Sequence, residues 1–307
     1  LVSVIIPNYN HAKYLDERIQ SVLAQTYQNF EIIILDDKST DNSVEVICKY
    51  KENPHVSNII INEENSGSTF RQWHKGFELA KGELVWIAES DDKCDKRFLE
   101  TLITFFIEDT DCVLAYSKSV LFKDDGTIVE DYESQKPEHM SGAEFIVHRM
   151  AYGNAIANAR SALFKRAVAL SIDKQYTVYK GAGDRLFWIE IAEKGNVCID
   201  YQRLNFFRIH DSNSTKRYYF EGINQMEDFQ ILQYILKKGY LTERQYKKAK
   251  RMYAQWTIFT DRISPEKKRE ICKLWGLGWT DRVYLFFYNL EEILVYKLNR
   301  FNAKRNL

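Results

Sequence analysis

The chain reads as an α/β fold with a mostly parallel sheet flanked by helices, followed by an all-helical C-terminal appendage. Three observations carry this reading. Apolar runs rich in β-branched residues recur at 2–6, 30–35, 58–61 and 84–88. Helix-period segments separate them. Each of three runs stops abruptly at a polar or acidic cluster: Pro7-Asn8-Tyr9-Asn10, Asp36-Asp37 and Glu89-Ser90-Asp91-Asp92. Strands apolar along their whole length belong to sheets covered on both faces.

The elements follow in order. After the first strand, Leu15, Ile19, Val22 and Leu23 fall on one face of a helix predicted over 14–26. The second strand ends at Asp36-Asp37, and Ser39 or Asp41 can cap a helix running to Tyr50. A third strand at 58–61 precedes a helix over 70–81, closed by Gly82. The fourth strand ends at the acidic turn, and 95–108 is helical again. The texture then changes. Residues 112–122 and 127–132 flank Asp124-Asp125-Gly126 as a hairpin. Residues 141–150 suit a helix, 160–164 a strand, 184–194 a strong amphipathic helix, and 197–200 and 204–209 two further strands. These readings divide the chain into a domain at 1–215 and a helical, basic region at 216–307. Within the domain, 1–110 and 111–215 form two halves of different texture. Predicted helices in the C-terminal region cover 222–238, 242–263, 265–274 and 279–298.

Bulk properties narrow the function classes. With 307 residues and 45% apolar content, a large core forms without disulfides. The five cysteines are odd in number and form no CxxC pair, so reduced cysteines packed in the core are expected. No apolar run reaches the roughly 20 residues of a spanning helix, and the start carries no signal-peptide pattern. A cytoplasmic protein is expected, in contact at most with the inner face of a membrane. Net charge is zero, yet residues 216–307 hold 19 Lys and Arg against 10 Asp and Glu. That surplus suits either an anionic partner or a solvated helical surface.

In open parallel sheets, ligands bind beyond the carboxyl ends of the strands, so the three polar clusters should line one rim. Clustered carboxylates repel one another, and Mg²⁺ or Mn²⁺ relieves this with one or two carboxylates plus phosphate oxygens. Helix capping is the alternative use of the same acids. Tyr9 can stack on a base or lie free on the surface. Asp37 can accept hydrogen bonds from a base or ribose. Gly181-Ala182-Gly183-Asp184 either caps the following helix or presents Asp184 as a general base. His210 can ligate a metal, donate to a phosphate, or serve only structure.

Taken in order, Val-Ser-Val-Ile-Ile-Pro-Asn-Tyr-Asn, Asp-Asp-x-Ser-Thr-Asp, Ala-Lys-Gly-Glu-Leu-Val-Trp-Ile-Ala-Glu-Ser-Asp-Asp and Gly-Asp-x-x-Phe-Trp resemble the family 2 glycosyltransferases of GT-A fold over residues 1–214. The resemblance implies an inverting transferase that moves a sugar from a nucleotide-diphospho-sugar, often UDP-linked, with Mn²⁺ or Mg²⁺. Within the domain it implies that the 1–110 half binds nucleotide and the 111–215 half faces the acceptor. It implies a nucleoside pocket at Pro7, Tyr9 and Asn10, and a base contact at Asp37. It also implies Asp91 beside ribose or metal, Asp92 as direct metal ligand, Asp184 as catalytic base, and His210 on donor phosphate or metal. Three positions depart from the pattern. Glu89 stands first in the acidic motif, and Gly183 stands where the family often has Glu. The segment from Gly67 to Trp73 replaces an arginine-bearing helix start, leaving Arg71 or Lys75 to reach the diphosphate. A saccharide or lipid-linked acceptor is expected, and no nucleic acid. The apolar, basic-flanked segment 283–296 leaves two partners open: a membrane surface touched peripherally, and a second copy of the chain as a homodimer. A nucleotidyltransferase would carry a Gly-rich basic loop after the first strand, which Pro7-Asn8-Tyr9-Asn10-His11 does not provide. A catalytically silent nucleotide- or glycan-binding module is the other alternative.

Overall fold

The fold was examined in a computed structural model. It describes residues 1–130, 135–156, 158–209, 214–260, 262–279, 281 and 283. The chain forms two compact units, residues 1–214 and 215–307.

The first unit is built on one sheet. The strands are β1 (Val2–Asn8), β2 (Phe30–Asp36), β3 (Val56–Ile61), β4 (Leu84–Ile87), β5 (Lys93–Cys94), β6 (Cys112–Phe122), β7 (Ile128–Glu130), β8 (Glu138–Ser141), β9 (Ala162–Lys165) and β10 (Asn196–Arg208). Their order is β3-β2-β1-β4-β9-β6-β10-β5, with β7 on β6 and β8 on β10. The β3-β2-β1-β4 half is parallel throughout. Beyond it the sheet is mixed: β9 runs antiparallel between β4 and β6, and β6 pairs parallel with β10. The α/β expectation therefore holds, with its parallel character concentrated in the first half.

Helices α1 (Ala12–Leu23), α2 (Ser43–Cys48), α3 (Thr69–Leu79), α4 (Phe98–Glu108), α5 (Gly142–Phe145), α6 (Arg166–Ser171) and α7 (Gly183–Ala192) complete this unit. Val4, Ile6, Ile32, Ile34 and Trp86 pack with Leu15, Ile19, Val22, Phe98 and Leu102 in one apolar cluster, so the strands meet α1 and α4 as their uninterrupted apolar runs require.

Several expectations are corrected. Helix α2 is shorter than the sequence suggests; no side chain caps it at Asn42, and Asp41 instead accepts the Ser43 N–H. Helix α7 is not amphipathic, because every residue from Arg185 to Ala192 is buried. It carries Arg185 and Glu190 into the interior, where Arg185 donates to the Met150 carbonyl. The two strands expected at 197–200 and 204–209 are one long strand, β10. Its register against β6 slips between Asp200 and Asn205, so the polar stretch read as a loop is a bulge inside the strand. Cysteines 112, 198 and 272 are buried, but Cys48 is exposed and Cys94 only partly covered; all five are free thiols.

In the second unit, α8 (Ser214–Phe220) is followed by α9 (Ile223–Lys237), α10 (Glu243–Phe259) and α11 (Pro265–Leu274). Thr242 and Gln245 form a capping box on α10, and Ser264 with Pro265 starts α11. Trp275 is the centre of this unit's core; it stacks near Phe229 and Tyr253 and donates to the Gln225 carbonyl. Most of the helix expected over 279–298 lies outside the described residues. Among the described residues, no helix is long and apolar enough to cross a membrane.

Candidate active site

Because β2, β1 and β4 are adjacent and parallel, the loops that follow them emerge on one edge of the sheet. These loops carry Pro7-Asn8-Tyr9-Asn10, Asp36-Asp37 and Glu89-Ser90-Asp91-Asp92, the three clusters expected to share a rim.

The first two loops are locked together by polar side chains. Asn8 is buried and donates to Asp36 and Ser39. Asn10 and Lys38 adopt left-handed backbone conformations, with φ of 57° and 62°. Such backbone is costly outside glycine. It is held here by the Asn10 N–H on Ser39 Oγ and the Thr40 N–H on Asn10 Oδ1. Pro7 ends buried at the strand terminus, while Tyr9 is 48% exposed. That exposure leaves its ring available for stacking.

Asp37 sits in a cage of neutral donors. Its Oδ1 accepts from Asn62 (2.7 Å), the Ser66 N–H (2.8 Å) and Gln72 (2.9 Å), and its Oδ2 accepts from Ser66 Oγ (2.8 Å). The cage fastens the loop before α3 to the end of β2. Arg71 is exposed and donates to the Ser66 carbonyl, while Lys75 donates to Asn62.

The acidic turn is built differently. Asp91 and Asp92 are 5% and 1% exposed. Asp92 Oδ1 accepts the Arg208 N–H at 2.7 Å. Its Oδ2 lies against Arg160 Nη1, and the same nitrogen is 3.1 Å from Asp91 Oδ1. Burial pushes the Asp92 carboxyl up to about 6, with Arg160 opposing and Asp91 adding to the rise. Burial also pushes Glu89 up to about 7, again against Arg160. Glu89 Oε1 accepts from Trp73 Nε1 at 2.8 Å, so the longer acid at this position turns toward α3. Ser90 bonds the His11 ring, joining the turn to the first loop.

Three arginines frame the turn, none of them among the residues singled out in the sequence. Arg18 occupies the buried stripe of α1 between Leu15 and Ile19, donates to the Glu89 carbonyl and lies over Trp86. Its place one turn after Leu15 was the available signal. Arg208 closes β10, donates to the Asp91 carbonyl and pairs with Glu17 and Asp124. Arg160 lies in a 3₁₀ turn, Ala159–Ser161, just before β9, where the sequence suggested that the strand itself begins. It is anchored by its backbone: its carbonyl accepts from Trp86 Nε1, and nearby Asn158 joins Ser119 and Asn205 in a buried amide–hydroxyl network.

Asp184 lies in the first turn of α7. Its Oδ2 accepts from Asn154 at 2.7 Å and its Oδ1 accepts the Arg185 N–H, which orients the carboxylate. A Cβ on Gly183 would come within 2.6 Å of the Phe70 ring and the Tyr176 carbonyl, so this packing excludes a glutamate there. Phe70 packs on Trp73, and Trp73 contacts Phe187 and holds Glu89; α3 thus links the start of α7 to the acidic turn. His210 lies outside the described residues.

The donor set at the turn fits Mg²⁺ or Mn²⁺ bound through one or two carboxylates. Asp92 Oδ2 is buried without a directed hydrogen bond. No group of three or more His, Cys, Asp or Glu suited to a metal occurs among the described residues. Further ligands would come from phosphate oxygens or from residues outside the described ones, such as His210.

A parallel half-sheet whose strand ends carry a buried acidic pair, continued by a mixed half, is the frame of a GT-A-like α/β fold. Residues 3–169 match glycosyl transferase family 2, and the chain belongs to that family as a glycosyltransferase. It is 30% identical over 243 residues to the poly(ribitol-phosphate) beta-N-acetylglucosaminyltransferase TarP of Staphylococcus aureus, covering 73% of this chain and 70% of TarP. It is 29% identical over 210 residues to TuaG of Bacillus subtilis, named as a putative teichuronic acid biosynthesis glycosyltransferase, covering 66% of this chain and 79% of TuaG. It spans only about a third of some other curated relatives, such as GlyG of Streptococcus pneumoniae, with 41% identity over 102 residues and 34% of GlyG covered. Among solved structures, S. aureus TarS 1–349 in complex with UDP-GlcNAc aligns with a TM-score of 0.66 at 18% identity, covering 89% of this chain and 79% of that one. The mannosyltransferase PcManGT of Pyrobaculum calidifontis, in complex with GDP-Man and Mn²⁺, aligns at 0.58 with 14% identity, covering 95% and 80%. These structural likenesses bear on the fold.

Proposed function

We propose that the chain transfers a sugar from a UDP-sugar to a hydroxyl of a cell-surface polymer by direct displacement with inversion. UDP-GlcNAc is the first donor to try, because TarS is described with it and TarP is named for transferring that sugar to poly(ribitol phosphate). The observation that carries the reading is the buried Asp91–Asp92 pair at the end of β4, on the same edge as the loops of Tyr9 and Asp37.

The residues divide the work as follows. Tyr9 and Asn10, beside Pro7, and the Asp37 loop receive the nucleoside. Asp91 and Asp92, with His210, hold a divalent cation. When bound, that cation supplies positive charge against the leaving diphosphate. Arg71, exposed in the first turn of α3, adds a further cation. Asp184 accepts the proton of the attacking hydroxyl, and its two fixed hydrogen bonds hold the carboxylate ready for that step. The basic surplus of residues 216–307 favours a polyanionic acceptor over a neutral one.

The test is transfer from UDP-[³H]GlcNAc to poly(ribitol phosphate) with Mn²⁺. Asp184→Asn should lower kcat by about 10²–10⁴-fold while UDP binding stays unchanged. Full activity in Asp184→Asn would remove Asp184 from the base role. UDP binding without turnover of any of a panel of UDP-sugars would favour a binding module.

A further inference from the structure

We propose that Arg160 is the resident counter-cation of the acidic turn, and that it couples metal binding to arrival of the donor diphosphate. The inference rests on the reading of Asp91 and Asp92 as metal ligands. Four observations support it.

First, two adjacent carboxylates are buried together with Glu89 nearby, an arrangement that needs a compensating cation. Second, Arg160 Nη1 touches both Asp91 Oδ1 and Asp92 Oδ2. Third, Asp92 Oδ1 already accepts the Arg208 N–H, and Oδ2, the less hydrogen-bonded oxygen, is the one Arg160 covers. Fourth, Nε and Nη1 of Arg160 are buried without directed hydrogen bonds, while its carbonyl is fixed by Trp86. The backbone is therefore held in place and the guanidinium is held chiefly by charge, over the Phe207 ring.

A divalent cation placed on Asp92 Oδ2 would meet the guanidinium at short range, and like charges a few ångströms apart inside a protein repel strongly. The negative diphosphate relieves this by giving both cations an anionic partner. Metal alone should bind weakly, and metal with nucleotide tightly. Linkage then requires the nucleotide to bind more tightly with metal by the same factor.

The experiment is a Mn²⁺ titration of the full chain, read by the electron paramagnetic resonance signal of free Mn²⁺, with and without UDP. In the wild-type chain UDP should tighten Mn²⁺ by about 10–100-fold. Arg160→Gln should bind Mn²⁺ alone at least about tenfold more tightly than wild type, and the gain from UDP should shrink to match. Arg160→Lys keeps the charge and should keep the wild-type coupling. If Arg160→Gln is unfolded without metal, Mn²⁺ alone should refold it, as followed by circular dichroism. Equal Mn²⁺ affinity in Arg160→Gln and wild type, or an unfolded Arg160→Gln chain that Mn²⁺ does not rescue, overturns the counter-cation role. No Mn²⁺ binding to wild type even with UDP, or binding that Asp92→Asn leaves intact, overturns the metal reading itself and so is told apart.

Discussion

Asp37 and Asp92 stand past the ends of two strands of the same parallel half-sheet, each buried, yet they are satisfied in opposite ways. Four neutral donors from Asn62, Ser66 and Gln72 saturate Asp37. One backbone N–H and one arginine face Asp92. The hydrogen-bonded cage occupies both carboxylate oxygens with donors. The ion pair leaves a buried oxygen without a directed bond, and burial, opposed by Arg160, pushes the Asp92 carboxyl up to about 6. Asp37 thus fastens the loop before α3, and in our proposal Asp92 is the acid that changes partners. The difference teaches that carboxylates at equivalent strand ends can be assigned by counting what already satisfies them.

The comparison can be broken most severely at the cage. Asp37→Ala strands several buried donors at once, and about 3 kcal/mol of stability should be lost in urea unfolding. Mn²⁺ should not restore it. A loss below about 1 kcal/mol would mean that the cage is not structural.

A pH series sharpens the contrast. In EDTA-treated protein, Glu89 at about 7 and Asp92 at about 6 lie above their ordinary values of 4.5 and 3.8. At these two positions the folded chain holds protons that the unfolded chain has released, so their contribution to stability falls as pH rises from about 4 toward 7. Glu89→Gln should flatten the upper part of that fall, between about pH 4.5 and 7, in urea midpoints measured across the range. An unchanged slope would show that Glu89 carries no buried charge.

The smallest effect belongs to Asp92→Asn. The asparagine oxygen still accepts from Arg208, but its amide N–H₂ faces Arg160, which keeps Asp91 as partner, so metal-free stability should fall by about 1–2 kcal/mol. The same variant should abolish Mn²⁺-dependent UDP binding. A stability loss as large as that of Asp37→Ala would erase the distinction between the two acids.

Much of this was legible in the residue pattern. The β-branched runs of β1, β2 and β4 end where polar residues begin, so the rim and its acids could be read directly. The bulge in β10 was hidden because Asp200, Gln202 and Arg203 look like a loop, while the pairing that keeps them in a strand comes from β6, some eighty residues earlier. Burial of α7 was hidden by the charged Arg185 and Glu190; Arg185 is satisfied by the Met150 carbonyl, 35 residues earlier. Arg160 was invisible for the same reason. Its position depends on Asn158 meeting Ser119 and Asn205, partners 39 and 47 residues away. Local spacing reports on periodic elements and strand ends, and is silent where long-range polar contacts shape irregular backbone.

The most direct measurement is calorimetric titration of UDP into the wild-type chain and Asp92→Asn, each with Mn²⁺ and with EDTA. The account predicts UDP binding in the wild type that strengthens with Mn²⁺ by about 10–100-fold, and no such strengthening in Asp92→Asn. Equal UDP affinity in all four titrations would contradict the assignment of the acidic turn as the metal and diphosphate site.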